Sequence, residues 1–197
     1  MARTDQVLDE RRVLLEGCGL IDRSERGKLA LTGPDAKAFL AGQVTNDVEG
    51  LVPGTGCYAA LLTHKGKMLA DLRILDADEE LLLDTERSAL QALFDVVRRH
   101  KIGFAVELHK RTLQTGLLSL VGPGGRAVTG AEDLPAEEHA HRPAHLAGHP
   151  VRLVATDVGV DVLCAAQDTE AVAEALRAAG AVPVGEAAVE ALRVERG

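Results

Sequence analysis

Tyr58, Asp71 and Glu195 are the side chains whose setting in this sequence suits them to chemistry. Two apolar runs, Cys57 to Thr63 and Met68 to Leu75, flank His64-Lys65-Gly66-Lys67, a pattern that predicts a β-hairpin. With Lys65-Gly66 as a two-residue turn, Ala60 pairs with Asp71 and Tyr58 with Arg73, because antiparallel partners step away from a turn together. Tyr58, Asp71 and Arg73 then share one face. Met68, Ala70, Leu72 and Ile74 form a period-2 apolar stripe on the other face, which should pack on the core. A phenol beside a carboxylate can serve acid–base chemistry. The same pair also occurs on an ordinary solvated strand face.

The third residue is read from helical spacing. At about 100° per residue, Gly185 to Arg196 puts Glu186, Glu190 and Arg193 on one side of a helix and Ala187, Ala188, Ala191, Leu192 and Val194 on the other. Glu195 falls within the apolar arc. A carboxylate there is costly unless donors meet it, so it is paired with protein groups, kept for a ligand that presents N–H donors, or exposed at a frayed end.

Other clusters point away from chemistry. His139, His141, His145 and His149 crowd beside Glu137 and Glu138, and imidazoles are common metal ligands. Pro143, Gly148 and Pro150 interrupt any regular element there, which predicts a solvated loop and no metal site. Gly54 to Ala59 matches G-x-G-x-x-A, but a dinucleotide fingerprint needs a helix after it and a strand-like run follows. Cys18, Cys57 and Cys164 are widely spaced among apolar neighbours, as buried inert thiols are.

Composition narrows the class of protein. The chain has 197 residues, 46 % of them hydrophobic, but one Tyr, three Phe and no Trp, so Leu, Val and Ala must fill the core. Stacking platforms for single-stranded nucleic acid are nearly absent. A net charge of −8 argues against a general binder of nucleic acid or anionic membranes. No apolar run approaches the ~18 residues that span a bilayer, and the N-terminus lacks a signal-peptide core, so a cytoplasmic protein is expected.

The elements that must position these residues follow from periodicity. A helix is predicted over 7–16, strands over 19–22 and 28–32, and a helix after Gly33-Pro34-Asp35, closed by Thr45-Asn46-Asp47. Beyond the hairpin come a strand at 81–83, a helix over 88–99, and strands at 104–108 and 113–121. Residues 122–150 read as a long loop. Strands at 151–155 and 160–165 and helices over 169–179 and 186–195 complete an α+β order with a largely antiparallel sheet.

The stretch GLIDRSERGKLALTGPDAKAFLAGQVTNDVEGLVPGTGCYAALLTHKGKMLADLRIL resembles the folate-binding domain of the glycine-cleavage T-protein superfamily, including its YgfZ-like branch. Leu192-Arg193-Val194-Glu195-Arg196-Gly197 is similar to that family's L-R-x-E-x-G segment. The resemblance implies a tetrahydrofolate-binding α+β domain in which Glu195 holds the pterin through its ring N–H and amino group. Tyr58 and Asp71 match positions that line the folate site, and Asp71 matches the catalytic position.

T-proteins usually carry a pair of aspartates on the hairpin, where this chain has Ala70-Asp71. Thr156 to Leu163 also lacks their G-Y-T-G-E pattern. The resemblance therefore leans toward YgfZ-like proteins, which assist iron-sulfur cluster assembly with a protein partner. Those proteins carry a K-G-C-Y-x-G-Q-E motif beyond the L-R-x-E segment. The expectation is one folate-binding domain over residues 1–197, truncated at its C-terminus and lacking the C-terminal β-barrel. An aminomethyltransferase of the glycine cleavage system and a non-catalytic interaction domain without folate are the alternatives.

Overall fold

The computed structural model describes residues 2–196, with side chains described from 9 to 195; Met1 and Gly197, the last residue of the L-R-x-E-x-G segment, lie outside. In chain order the elements are α1 (Ala2–Glu16), β1 (Gly19–Asp22), β2 (Gly27–Thr32), α2 (Ala36–Ala41), β3 (Gly56–Leu62), β4 (Met68–Asp76), β5 (Glu80–Thr85) and α3 (Leu90–His100). Then follow β6 (Glu107–Lys110), β7 (Thr115–Val121), α4 (Gly125–Thr129), β8 (His141–Leu146), β9 (His149–Thr156), β10 (Gly159–Ala165), α5 (Thr169–Ala178), β11 (Val182–Pro183) and α6 (Glu186–Arg196). They form two compact units, one of residues 25–115 with 138–141, the other of residues 1–24, 116–137 and 142–197.

The unit of residues 25–115 is a five-stranded antiparallel sheet in the order β3-β4-β5-β2-β6. One face is apolar because alternate residues point to the same side. Ala70, Leu72 and Ile74 of β4 join Leu81 and Leu83 of β5 and Leu29 and Leu31 of β2. Phe39 and Leu40 of α2 and Leu93 and Val97 of α3 complete that core. The few aromatics serve it too: the rings of Phe39 and Phe104 lie 5.3 Å apart.

The hairpin departs from the sequence reading at its tip. Residues 56–61 pair with 75–70 in the expected register, Tyr58 opposite Arg73 and Ala60 opposite Asp71. Then Leu62 pairs with Met68, and the Thr63 N–H donates to the Lys67 carbonyl at 2.8 Å. The turn is thus His64-Lys65-Gly66, with Gly66 at φ +75°. Three-residue hairpins of this kind need a left-handed residue, and Gly supplies it. Leu69 is the extra residue of the resulting bulge, and a bulge reverses which side each residue faces. Met68, expected in the core stripe, is consequently 59 % exposed.

The other unit holds a six-stranded sheet in the order β11-β1-β7-β10-β9-β8. Its pairs β1–β7 and β9–β10 are antiparallel, while β11 runs parallel to β1. Leu14 of α1 packs with Val184, Ala188, Val189 and Leu192 at α6. α1 runs further toward the N-terminus than its apolar pattern indicated. The expected single sheet is therefore two sheets, and among the described residues neither closes into a barrel. Also among them, no helix is long and apolar enough to cross a membrane.

The stretch 122–150, expected as a loop, contains α4, β8 and the start of β9. β8 is the last strand of its sheet, where Pro143 can lack an N–H without breaking a ladder. Ala147 and Gly148, at φ +50° and +85°, make the two-residue turn that joins β8 to β9. The histidines are correspondingly ordered. His139 and His141 are buried, and the His141 ring N–H donates to the Thr55 carbonyl at 3.1 Å.

Candidate active site

The second face of the β3-β4-β5-β2 sheet is polar where the first is apolar. Register places Tyr58 opposite Arg73, Arg73 opposite Asp84 and Asp84 opposite Lys28, one rung across four strands. Arg73, Asp84 and Lys28 are only 6 %, 8 % and 4 % exposed. Charges so buried must be paired. Asp84 supplies the pairing, with Arg73 Nη2 3.0 Å from Oδ2 and Arg26 Nε 2.9 Å from Oδ1. Arg26 also meets Glu86, and Lys28 Nζ donates to the Arg26 carbonyl at 3.1 Å. The rung follows from the register, because Lys28 and Asp84 fall at the parity opposite to the core residues Leu29, Leu31, Leu81 and Leu83.

At the open end of this rung the Tyr58 hydroxyl donates to the Asp71 carboxylate, two residues off the direct pairing. Thr85 Oγ1 donates to the Asp71 carbonyl at 2.6 Å. Asn46 Nδ2 donates to the Tyr58 carbonyl at 2.8 Å, and the Ala60 N–H donates to Thr45 Oγ1 at 2.9 Å. Thr45 and Asn46 thus cover the free edge of β3 beyond α2, while Asp47 makes the expected turn bond to the Gly50 N–H. Burial, and next the hydrogen bond to Asp71, push the Tyr58 phenol up to about 12. Tyr58 therefore remains a donor across the physiological range, and Asp71 keeps accepting capacity for a ligand's N–H groups.

Glu195 belongs to the other unit. The buried side of α6 is Ala188, Val189 and Leu192, whereas Ala187, Ala191 and Val194 are exposed. The predicted apolar arc is thus rotated, and Glu195 stands at its margin. There it receives both ends of the Arg11 guanidinium, Nη2 at 3.0 Å and Nε at 3.2 Å. This hydrogen bond holds its carboxyl below the usual glutamate range. Arg23 grips Glu186 at 2.8 and 3.2 Å, and Glu10 Oε2 accepts the Gly185 N–H at 3.1 Å, so both ends of α6 are fixed.

The structure therefore joins Tyr58 to Asp71 and gives Glu195 a protein partner. Sequence reading missed Arg26, Lys28 and Asp84; their signal was a charge at the polar parity of a leucine-rich strand, visible only once the register is known. Among the described residues no group of three His, Cys, Asp or Glu side chains converges as a metal site would. Gly54 to Ala59 leads into strand β3, as the rejection of a dinucleotide fingerprint required. Cys18 and Cys164 are buried and Cys57 is half-buried; burial pushes the Cys18 thiol up to about 11.

The chain thus has an α+β frame with a polar sheet face that carries a tyrosine-bound aspartate, and known proteins give its kinship. Residues 2–197 match the model of the GCVT N-terminal domain. The chain belongs to that family, within the aminomethyltransferase (T-protein) superfamily. It is 32 % identical to an aminomethyltransferase of Chloroherpeton thalassium, across 98 % of this chain and 57 % of that protein. To an aminomethyltransferase of Thermus thermophilus it is 31 % identical, across 97 % of this chain and 57 % of that one.

A crystal structure of the glycine cleavage system aminomethyltransferase T from Bartonella henselae superposes with a TM-score of 0.82 at 26 % identity, covering 96 % of this chain and 54 % of that one. A heterotetrameric sarcosine oxidase of Corynebacterium sp. U-96 shares the fold at a TM-score of 0.62 and 20 % identity, over 92 % of this chain and 96 % of that one. The chain thus spans little more than half the length of the curated relatives it matches.

Proposed function

We propose that this chain is the tetrahydrofolate-binding part of an aminomethyltransferase-type protein, with residues 1–197 working as one folate-binding domain in the cytoplasm. The observation that carries the reading is the Tyr58 hydroxyl seated on Asp71 at the edge of the polar rung. Asp71 is held by its backbone and its side chain, and it offers acceptor capacity to the N–H groups of a reduced folate. Tyr58 lines the same site and fixes the carboxylate. Glu195, matching the family's pterin-holding glutamate, accepts N–H donors already in the form of Arg11. The names of the relatives support aminomethyl transfer; the family resemblance would make the donor a lipoyl-bearing carrier and the acceptor folate.

A second reading is a YgfZ-like role, in which folate is bound without transfer and a partner protein in iron-sulfur assembly is served. Ala70 favours it. Where T-proteins pair their aspartates, this side chain is buried in the core, so Asp71 has no neighbouring carboxylate in that position. Calorimetric titration with tetrahydrofolate tests the shared part of both readings, and absence of saturable binding leaves a non-catalytic interaction domain. Aminomethyl transfer from a lipoylated carrier separates the first reading from the second.

A further inference from the structure

The two edges of the five-stranded sheet end differently. Thr45 and Asn46 cover the outer side of β3, whereas β6 is the last strand and, among the described residues, no strand pairs with its outer side. The Arg111 N–H donates to the Lys28 carbonyl at 3.0 Å, so Arg111, His109 and Glu107 turn their backbone groups toward β2. The N–H and C=O groups of Leu108 and Lys110 therefore point away from the sheet. Unpaired edges are templates for another strand, and many natural ones are guarded by Pro, a bulge or an outward Lys. Residues 105–112 contain no Pro, and the register of Glu107–Lys110 with β2 is unbroken. Lys110 lays its ammonium over the Phe94 ring, 4.6 Å from the centroid.

This edge is complementary to itself. Two antiparallel copies of β6 related by a two-fold axis at His109 place Leu108 opposite Lys110 of the second copy, which pairs both outward-pointing residues. An axis at Leu108 would call on Val106, whose carbonyl already accepts from Lys101 Nζ at 3.0 Å and whose N–H donates to the Phe104 carbonyl at 2.9 Å. An axis at Lys110 would call on Thr112, beyond the end of the strand. With the axis at His109, Glu107 falls opposite Arg111 of the second copy, at a non-hydrogen-bonded pair where side chains approach most closely. Glu107 is exposed, and Arg111 meets Glu80 at 3.0 Å with guanidinium donors to spare. Exposed apolar side chains bracket the strand, Phe104 before it at 45 % and Leu113 after it at 83 %. The axis sets the start of one β6 beside the end of the other, so these two come together across the junction.

We infer that β6 is the docking edge for a second copy of this chain, joined to it as a continuous antiparallel sheet. A strand of four residues supports a weak, concentration-dependent dimer and not a permanent one. The charge pattern specifies the partner, since an antiparallel copy answers Glu107 with Arg111 at both ends of the junction. The joint uses none of Tyr58, Asp71 or Glu195, so it stands apart from the reading given under Proposed function.

Sedimentation equilibrium of the whole chain tests this, with circular dichroism to confirm the fold of each variant. Wild type should dimerise as its concentration rises. Glu107→Arg and Arg111→Glu should each weaken the dimer by about tenfold, because the axis repeats the like-charge contact. Mixed in equal amounts, the two variants should associate with each other about as tightly as wild type does with itself, since Arg then faces Glu at both contacts. Lys110→Pro removes an N–H that only the dimer uses, so it should leave a folded monomer. A wild-type chain that stays monomeric at every concentration overturns the inference. So does a dimer that persists unweakened in Lys110→Pro, or a pair of charge variants that fail to associate when mixed.

Discussion

The Tyr58 hydroxyl donates to the Asp71 carboxylate diagonally across β3 and β4, beside the rung that runs from Tyr58 through Arg73 and Asp84 to Lys28. A half-exposed phenol is thereby tied to the end of a buried ionic row. The row fixes the strands, and the phenol fixes the carboxylate that faces outward.

Tyr58 is the only tyrosine and no Trp is present, so the ultraviolet change of tyrosinate reports this one group. Its absorbance rise should lag that of free tyrosine at every pH where circular dichroism reports an intact fold, with a midpoint at about 12. Asp71→Asn removes the carboxylate that favours the protonated phenol, so its midpoint should fall. It should stop above the free value, because burial is the larger cause. Arg26→Gln should raise it, since Arg26 favours the phenolate. A wild-type midpoint near the ordinary value of about 10 would contradict the Tyr58–Asp71 pairing.

Asp84 joins Arg26 and Arg73, and both it and Arg73 are buried. Removing one partner from such a group leaves a buried charge with less compensation, which costs on the order of 3–5 kcal/mol. Asp84→Ala should therefore lower the denaturant midpoint sharply. Arg26→Gln should cost less, because that side chain is partly solvated and Arg73 still meets Asp84. Equal stability of Asp84→Ala and wild type would show that the rung contributes nothing net.

α6 should loosen in acid. Glu195 and Glu190 are both held below the usual glutamate range, by Arg11 and Arg193 respectively. A carboxyl with a lowered folded value contributes stability above its unfolded pKa of about 4.3, and that contribution disappears as pH falls through the folded value. Amide exchange in α6, corrected for its intrinsic pH dependence, should thus accelerate below about pH 4 and remain flat above it. Arg11→Gln should abolish much of that dependence without altering the exposed Glu190–Arg193 pair.

The register of the hairpin beyond its tip was readable from the turn, because antiparallel partners step away from it together and the bulge at Leu69 makes up for the extra residue in the turn. Its tip was not, since Lys65-Gly66 and His64-Lys65-Gly66 are both acceptable turns and only the bulge at Leu69 distinguishes them. Residues 122–150 were misread for a related reason: Pro143 argues against a strand unless the strand is known to be at an edge. The rung through Arg73 and Asp84 depends on pairing β5 with both β4 and β2, which alternation within one strand does not specify. Glu195 was legible as a carboxylate in need of donors, but a helical wheel cannot say that Arg11, 184 residues away, would supply them.

Glu195 and Asp71 should respond differently to substitution if the chain binds tetrahydrofolate. Glu195→Gln keeps the shape of the side chain but replaces one accepting oxygen with a donor, so a ligand that offers paired N–H groups loses one hydrogen bond and meets a donor in its place. Affinity should fall by roughly tenfold or more, since a decade in Kd corresponds to the loss of a single charge-assisted contact. Arg11→Gln supplies the control, because it releases Glu195 from its present partner. If Glu195 receives the pterin, Arg11→Gln should bind folate at least as tightly as wild type, whereas a purely structural role makes both variants weaken together. Asp71→Asn keeps Tyr58 as a donor and should change affinity less than Glu195→Gln, while reducing any aminomethyl transfer more. Calorimetric titration of the three variants, with transfer assayed on the same preparations, decides the matter: unchanged affinity in Glu195→Gln removes that residue from the folate site, and unchanged transfer in Asp71→Asn removes Asp71 from the chemistry.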